Sequence, residues 1–419
     1  MFRSYSQTLD FLYQLRQFGT KMGLENILLL DEALGFPSRR LKFIHIAGTN
    51  GKGSVAAMIE GILRAGGHKT GLFTSPHLAS FGERIQIDRV PCGRKQIVSV
   101  CNRVMEAAQV VEKKTGGRFP TFFEFVTGMA LEQFARDEVD FVIWETGMGG
   151  RLDATNLVTP EVSVITSVGM DHMAWLGDTP AQIAREKAGI IKPGIPCVVG
   201  SLSDEVLSVV EERCAEMESK LLRAEKAPYG GPLGLRGEFQ RHNAQIARAA
   251  VACLISAGHQ ISENAICAGL ENVSWPGRMT LVRTNPPSII DGCHNAPSAE
   301  ALACSLGQEY PGMKWAICFG VLKDKDWPAI LSHLLGPADE FLLVPVDSGR
   351  AESPSVIHAH LRANCPGIRA REFDSLSSAW QAAENRPLLT CGSLFLAGQA
   401  LWEAGILKDK DGVELNEKL

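Results

Sequence analysis

Seven consecutive residues, Gly48-Thr49-Asn50-Gly51-Lys52-Gly53-Ser54, have the types and spacing of a phosphate cradle. Glycines let backbone N–H groups face phosphate oxygens without a Cβ in the way, and a lysine adds a point charge for the outer phosphates. A helix beginning directly after the loop would contribute its own N–H groups and dipole. Ser54 can cap that helix or face a hard cation. The run departs from the general phosphate-loop pattern, because Ile46 stands where the first glycine belongs and Gly53 separates Lys52 from Ser54. The bland alternative is a glycine-rich turn with one exposed lysine. Context argues against it: an apolar run over 43–47 predicts a strand before the loop, and helical composition over 55–65, ending at Gly66-Gly67, follows it.

These flanking elements belong to a longer alternation. Apolar spacing predicts helices over 8–18, 24–35, 95–114 and 121–136, and strands over 43–47, 69–74, 139–144 and 161–167. Glu145 follows the apolar run 141–144 at its carboxyl end, where open α/β sheets place ligand sites. Breakers at Trp275-Pro276-Gly277-Arg278 and Thr284-Asn285-Pro286-Pro287 bracket a short stretch, and beyond it strands are predicted over 288–290, 315–319 and 341–344. The expected fold is α/β: an ATPase-type first domain (1–280) with a mainly parallel sheet, and a smaller Rossmann-like domain (287–419).

Bulk properties narrow the function classes. A chain of 419 residues is too long for one ordinary core. Its net charge of -5, without a long basic run, gives non-specific nucleic-acid binding no electrostatic support. The start lacks an apolar signal core and no run is long enough to span a membrane, so a cytoplasmic protein is expected. The 11 scattered cysteines contain no C-x-x-C pair, which argues against a disulfide framework or a zinc site and for reduced, mostly buried thiols.

Further motifs follow the loop in order: Thr74-Ser75-Pro76-His77-Leu78, Thr121-Phe122-Phe123-Glu124, and Glu145-Thr146-Gly147-Met148-Gly149-Gly150-Arg151-Leu152-Asp153-Ala154-Thr155-Asn156. Then come Asp171-His172, Arg185-Glu186-Lys187-Ala188-Gly189-Ile190-Ile191-Lys192, Trp275-Pro276-Gly277-Arg278, Asp291-Gly292-Cys293-His294-Asn295 and Gly392-Ser393-Leu394-Phe395-Leu396. With these motifs the chain resembles the folylpolyglutamate synthase and dihydrofolate synthase family, a branch of the Mur ligase superfamily, over nearly its whole length. Two positions depart from that family's pattern. Phe239 stands where histidine is usual, and Cys293 replaces a common alanine.

The resemblance implies an ATP-dependent ligase that adds L-glutamate to dihydropteroate, to reduced folate or to both. A substrate carboxylate would take the γ-phosphate of ATP, and the glutamate amine would then displace phosphate from the acyl phosphate. It also implies site residues. Residues 48–54, Asn243, Arg278 and Asp291 would hold ATP, and Lys52 would serve its phosphates. Ser75 and Glu145 would hold one Mg2+, and His172 a second. Lys187 would be carbamylated and support the second metal. Thr121, Phe122, Phe123, Glu124, Leu152, Asp153 and Ala154 would meet the pterin end, and His294 phosphate or glutamate. On side-chain chemistry alone, His172 reads as a structural histidine, Lys187 as a solvated helix lysine, and at least one of Phe122, Phe123 and Phe125 as core. A monomer is expected. The rival reading is another Mur-type amino-acid ligase with a different carboxylate substrate. A cell-wall precursor enzyme usually carries a further N-terminal domain, and a loop beginning at Gly48 leaves little room for one.

Overall fold

The computed structural model describes residues 1–15, 23–171 and 173–411. Eight strands form the first sheet: β1 (Phe43–Ala47), β2 (Thr70–Phe73), β3 (Ile85–Ile87), β4 (Val90–Pro91), β5 (Phe141–Glu145), β6 (Val162–Ile165), β7 (Cys197–Val199) and β8 (Leu221–Arg223). Their order is β4-β3-β2-β5-β1-β6-β7-β8. All pairs are parallel except those of β3, which runs antiparallel to β2 and to β4. β1 lies between β5 and β6, and every residue of β1 and β5 is buried. Helices cover both faces, which is why these strands read as continuous apolar runs. Phe73, Val142 and Trp144 pack on one face with the helices Arg94–Lys114 and Phe122–Arg136. Ile44, Ile46 and Ile143 pack on the other with the helices Lys52–Ala65 and Glu238–Ser256.

The second sheet has six strands: β9 (Thr280–Thr284), β10 (Pro287–Ile290), β11 (Trp315–Phe319), β12 (Ala338–Leu343), β13 (Arg369–Glu372) and β14 (Leu388–Cys391), in the order β13-β12-β11-β14-β10-β9. Only β9 is antiparallel to its neighbour. The α/β class with a mainly parallel large sheet and a smaller second sheet is therefore what the sequence led us to expect.

Details differ. The helix after the phosphate loop begins at Lys52 rather than at 55, because Gly51 is its N-cap and accepts the Val55 N–H at 2.9 Å. The first helix is Tyr5–Gln14, and residues 16–18 of the expected span lie outside the described residues. The stretch read as a bare boundary holds β9. β3, β4, β7, β8, β13 and β14 were not expected either, since two to four residues are too few for a period-two pattern to register. All eleven cysteines are free thiols, mostly buried. No described helix is long and apolar enough to cross a membrane.

Candidate active site

The carboxyl ends of the parallel strands in the two sheets face one cavity of about 530 Å³. That volume lies within the range of roughly 300–1,000 Å³ usual for small-molecule sites. From the first sheet, β1 delivers residues 48–54, β2 Ser75, β5 Glu145, and β6 Thr166 and Ser167. From the second, β10 delivers Asp291 and His294, β11 Lys325, and β14 Ser393. Residues 121–124 and 152–154, with Lys187, Asn243 and Arg278, line the same cavity. Every expected site residue that the structure describes is thus gathered in one place. His172 lies outside the described residues.

The loop is held from below by the segment after β6. Thr166 Oγ1 and Ser167 Oγ donate to the Asn50 carbonyl at 2.7 and 2.9 Å, and Ser167 Oγ accepts the Asn50 N–H at 2.9 Å. Thr49 Oγ1 exchanges hydrogen bonds with the Gly169 backbone at 3.1 and 3.0 Å. Gly51 takes φ +87, a left-handed conformation that favours glycine, and a Cβ there would stand 2.8 Å from Asn243 Oδ1. A Cβ on Gly53 would stand 2.8 Å from the Trp275 indole nitrogen, which accounts for the extra glycine between Lys52 and Ser54. Lys52 Nζ folds back to donate to the Gly48 carbonyl at 2.9 Å.

The loop is also tied to the second sheet. Asn50 and Asn295 exchange side-chain hydrogen bonds at 3.1 and 3.0 Å, and Lys325 pairs with Asp171 at 3.1 Å. Asn295 closes the motif 291–295 but was given no role there, and Lys325 was not foreseen. The charged run Lys323-Asp324-Lys325-Asp326 just beyond β11 was the available signal, since sites collect beyond strand carboxyl ends.

Glu145 ends β5, is 4% exposed, and accepts the Ser75 N–H at 3.2 Å. Ser75 and Glu145 therefore adjoin each other in the cavity lining. Among the described residues no three His, Cys, Asp or Glu side chains cluster as a closed metal cage. One carboxylate with a hydroxyl suits magnesium, which keeps waters and phosphate oxygens in its shell. Lys187 is 3% exposed in the helix Pro180–Ala188. Burial first, and the Lys52 cation second, push its pKa down to about 7.

Asp291 is buried, and its two oxygens accept the Met279 and Cys293 N–H groups at 2.8 Å each. Burial raises its pKa, against the nearby Arg278 cation. Burial pushes His294 down to about 4, helped by Lys325. The neutral ring meets the Gly292 carbonyl through Nδ1 at 2.9 Å, so Nδ1 carries the proton and Nε2 is an acceptor. Asn243 Nδ2 donates to Gln240 Oε1 at 2.9 Å, leaving Oδ1 toward the loop.

Elsewhere in the lining, Thr121 and Glu124 form the capping box of the helix Phe122–Arg136, with Glu124 Oε2 accepting the Thr121 N–H at 2.7 Å. Phe122 and Phe123 reach the cavity, whereas Phe125 is fully buried in the core against Phe11 and Phe119. Asp153 caps the turn Ala154–Leu157, and burial raises its pKa against several N–H donors.

Comparison with known proteins fits this arrangement. Residues 277–394 match the family described as Mur ligase, glutamate ligase domain. The chain is 36% identical to the dihydrofolate synthase/folylpolyglutamate synthase of Bacillus subtilis (strain 168), over 80% of this chain and 83% of that protein. Identity to the Escherichia coli (strain K12) protein of the same name is 31%, over 92% of each. The structure of Mycobacterium tuberculosis folylpolyglutamate synthase complexed with ADP and AMPPCP superposes with a TM-score of 0.89 at 31% identity, covering 97% of this chain and 99% of that one. The Escherichia coli FolC complex with DHPP and ADP gives a TM-score of 0.86 at 29% identity, covering 96% and 98%. Sequence and architecture agree from end to end, and the chain belongs to the folylpolyglutamate synthase/dihydrofolate synthase family.

Proposed function

We propose that this enzyme joins L-glutamate to the carboxylate of dihydropteroate and of reduced folates, converting ATP to ADP and phosphate. The observation that carries this is one cavity whose lining combines the phosphate loop, the aromatic and carboxylate residues Phe122, Phe123 and Asp153, and the cations Lys325 and Arg350. Acceptor, ATP and amino acid thus have adjoining places.

The acceptor carboxylate attacks the γ-phosphorus, the bond to the β,γ-bridging oxygen breaks, and ADP leaves an acyl phosphate. The glutamate amine adds to the acyl carbon and loses a proton, and phosphate departs with the C–O electron pair. Free carboxylates are poor acyl donors, so this chain's task is positioning and charge stabilisation. The N–H groups of residues 48–54 cradle the phosphates, and Lys52 moves from the Gly48 carbonyl to the γ-phosphate. Asn243, Asp291 and Arg278 hold the nucleotide. Lys325 and Arg350 meet the amino acid's carboxylates, and His294 Nε2 accepts from its amine. Phe122 and Phe123 pack on the flat heterocycle, and Leu152, Asp153 and Ala154, with the Thr121–Glu124 box behind, shape its edge.

Ser75 and Glu145 are the residues that would hold magnesium, with His172 for a second ion; bound there, magnesium neutralises phosphate charge. Near pH 7 about half of the Lys187 amine is neutral and can add to carbon dioxide, releasing a proton and leaving an anionic carbamate. The same reading divides the chain into a first domain over 1–280 and a second over 287–419, and takes the enzyme as a cytoplasmic monomer, in keeping with its reduced cysteines.

The test is ADP release by the purified chain with glutamate, supplied separately with dihydropteroate and with tetrahydrofolate. Release that requires both glutamate and a pteridine is expected. Release indifferent to both, or supported only by a different carboxylate, would overturn the proposal.

A further inference from the structure

His45 stands in the middle of β1, the central strand of the first sheet, and its side chain is fully buried. A buried imidazole needs a polar partner. Its Nε2 lies 2.9 Å from Thr155 Oγ1. Thr155 Oγ1 in turn lies 2.5 Å from Asp153 Oδ1, which also accepts the Thr155 N–H at 3.0 Å. A hydroxyl carries one proton and a carboxylate only accepts, so the Thr155 hydroxyl donates to Asp153 and must accept from His45. The imidazole is thereby fixed as the Nε2–H tautomer. Burial pushes its pKa down to about 3, so the ring is neutral and Nδ1 is bare, without a partner among the described residues. Asp153 Oδ2 accepts the Met148 N–H at 2.8 Å. Trp144, the register partner of His45 on β5, donates its indole N–H to the Thr155 carbonyl at 2.9 Å. Two adjacent strands therefore grip Thr155, and through it the carboxylate of Asp153, a residue of the cavity lining.

We propose that His45 and Thr155 are positioning residues for the acceptor substrate. The directed chain from His45 Nε2–H through Thr155 Oγ1–H to Asp153 Oδ1 holds that carboxylate in one rotamer and keeps it an acceptor. It then suits a heterocycle edge that presents adjacent N–H donors, as an amino-substituted pyrimidinone does. This rests on reading Asp153 as part of the acceptor subsite. An aliphatic side chain at 45 would fill the space beside Trp144 without stranding a ring nitrogen, so packing alone gives no reason for histidine.

The test is steady-state kinetics of the full chain with ATP, glutamate and dihydropteroate. Thr155→Val removes the hydroxyl at constant volume, and His45→Leu removes the donor. Thr155→Ser restores a hydroxyl, and His45→Gln restores an N–H. T155V and H45L are each expected to raise the dihydropteroate KM about tenfold and leave the ATP KM within about twofold. T155S and H45Q should return it to within about threefold of wild type, and the H45L/T155V double variant should be no worse than T155V alone, because both cut one chain. An ATP KM that rises in step, a failure of both rescues, or additive effects would show a packing role and overturn the proposal. Asp153→Asn separates it from the reading beneath it. If D153N leaves the dihydropteroate KM unchanged, the acceptor subsite falls and the proposal with it. If D153N raises that KM while T155V and H45L do not, the positioning chain alone falls. Should H45L fail to fold, the Thr155 variants, which change one hydroxyl, decide the matter.

Discussion

Replacing Lys187 with methionine removes the amine and keeps the reach of the side chain. In the folded chain Lys187 is 3% exposed, and burial and Lys52 bring its pKa from 10.5 to about 7. A fall of that size disfavours the cation by on the order of 4 kcal/mol. The sign follows from proton counts. Between pH 7 and 10.5 the unfolded chain holds more protons here than the folded one, so stability rises with pH across that window. The penalty is full below pH 7 and fades toward pH 10.5. In bicarbonate-free buffer at pH 6, Lys187→Met should therefore be more stable than wild type, by up to about 4 kcal/mol read from urea midpoints, and the gap should close as pH rises. Function should move the opposite way. The neutral fraction at pH 7 grows from roughly 1 in 3,000 for an ordinary lysine to about a half, and only the neutral amine adds carbon dioxide. Wild-type turnover at pH 7 should rise with added bicarbonate. Lys187→Met should lose about a hundredfold or more in kcat, as expected for a removed electrostatic stabiliser, with partial return on adding acetate. Lys187→Arg should not recover, since it keeps the cation and cannot form the carbamate. A methionine variant that is less stable than wild type at pH 6 and still turns over would refute the reasoning.

Other perturbations test other parts of the site. Lys52→Ala should lower kcat by about a hundredfold or more with an unchanged thermal melt, because the amine touches only loop carbonyls; near-normal ligation would contradict its role. Glu145→Gln should shift the magnesium dependence of the rate to higher concentration while nucleotide binding without metal stays the same, read by titration calorimetry. Gly53→Ala should drive a methyl into the Trp275 indole and destabilise by about 1–3 kcal/mol, seen as a lower urea midpoint. Asn295→Ala should raise the ATP KM a few-fold, about 1 kcal/mol, by cutting the loop's bond to the second sheet, and should also lower the urea midpoint by about 1 kcal/mol, because Asn295 caps the helix Ala296–Glu309.

The phosphate loop was legible because its signal is local: strand, glycines, lysine and helix stand within about twenty residues. The carboxyl-end position of Glu145 was legible for the same reason. What braces the loop was not. Thr166 and Ser167 come from β6, more than a hundred residues away, and two small hydroxyl residues after a short apolar run carry no mark of their purpose. The departure at Gly53 is explained by Trp275, which the fold brings from more than two hundred positions away. Thr121-Phe122-Phe123-Glu124 contains a capping-box pattern ahead of an apolar run, so its helix-starting role could have been read directly. β9 was missed because its flanking breakers looked like a linker, whereas they end an antiparallel edge strand. The sequence marked His45 only as part of a buried strand, because the use of a core histidine depends on a partner 110 positions away.

The central claim is that an acceptor carboxylate is phosphorylated by ATP before glutamate attacks it. Dihydropteroate labelled with 18O in its carboxylate tests this directly, by mass spectrometry of the phosphate released with ATP, glutamate and magnesium. One 18O atom should appear in each phosphate, with release requiring glutamate. Unlabelled phosphate from a reaction that still forms the glutamyl product would contradict the account.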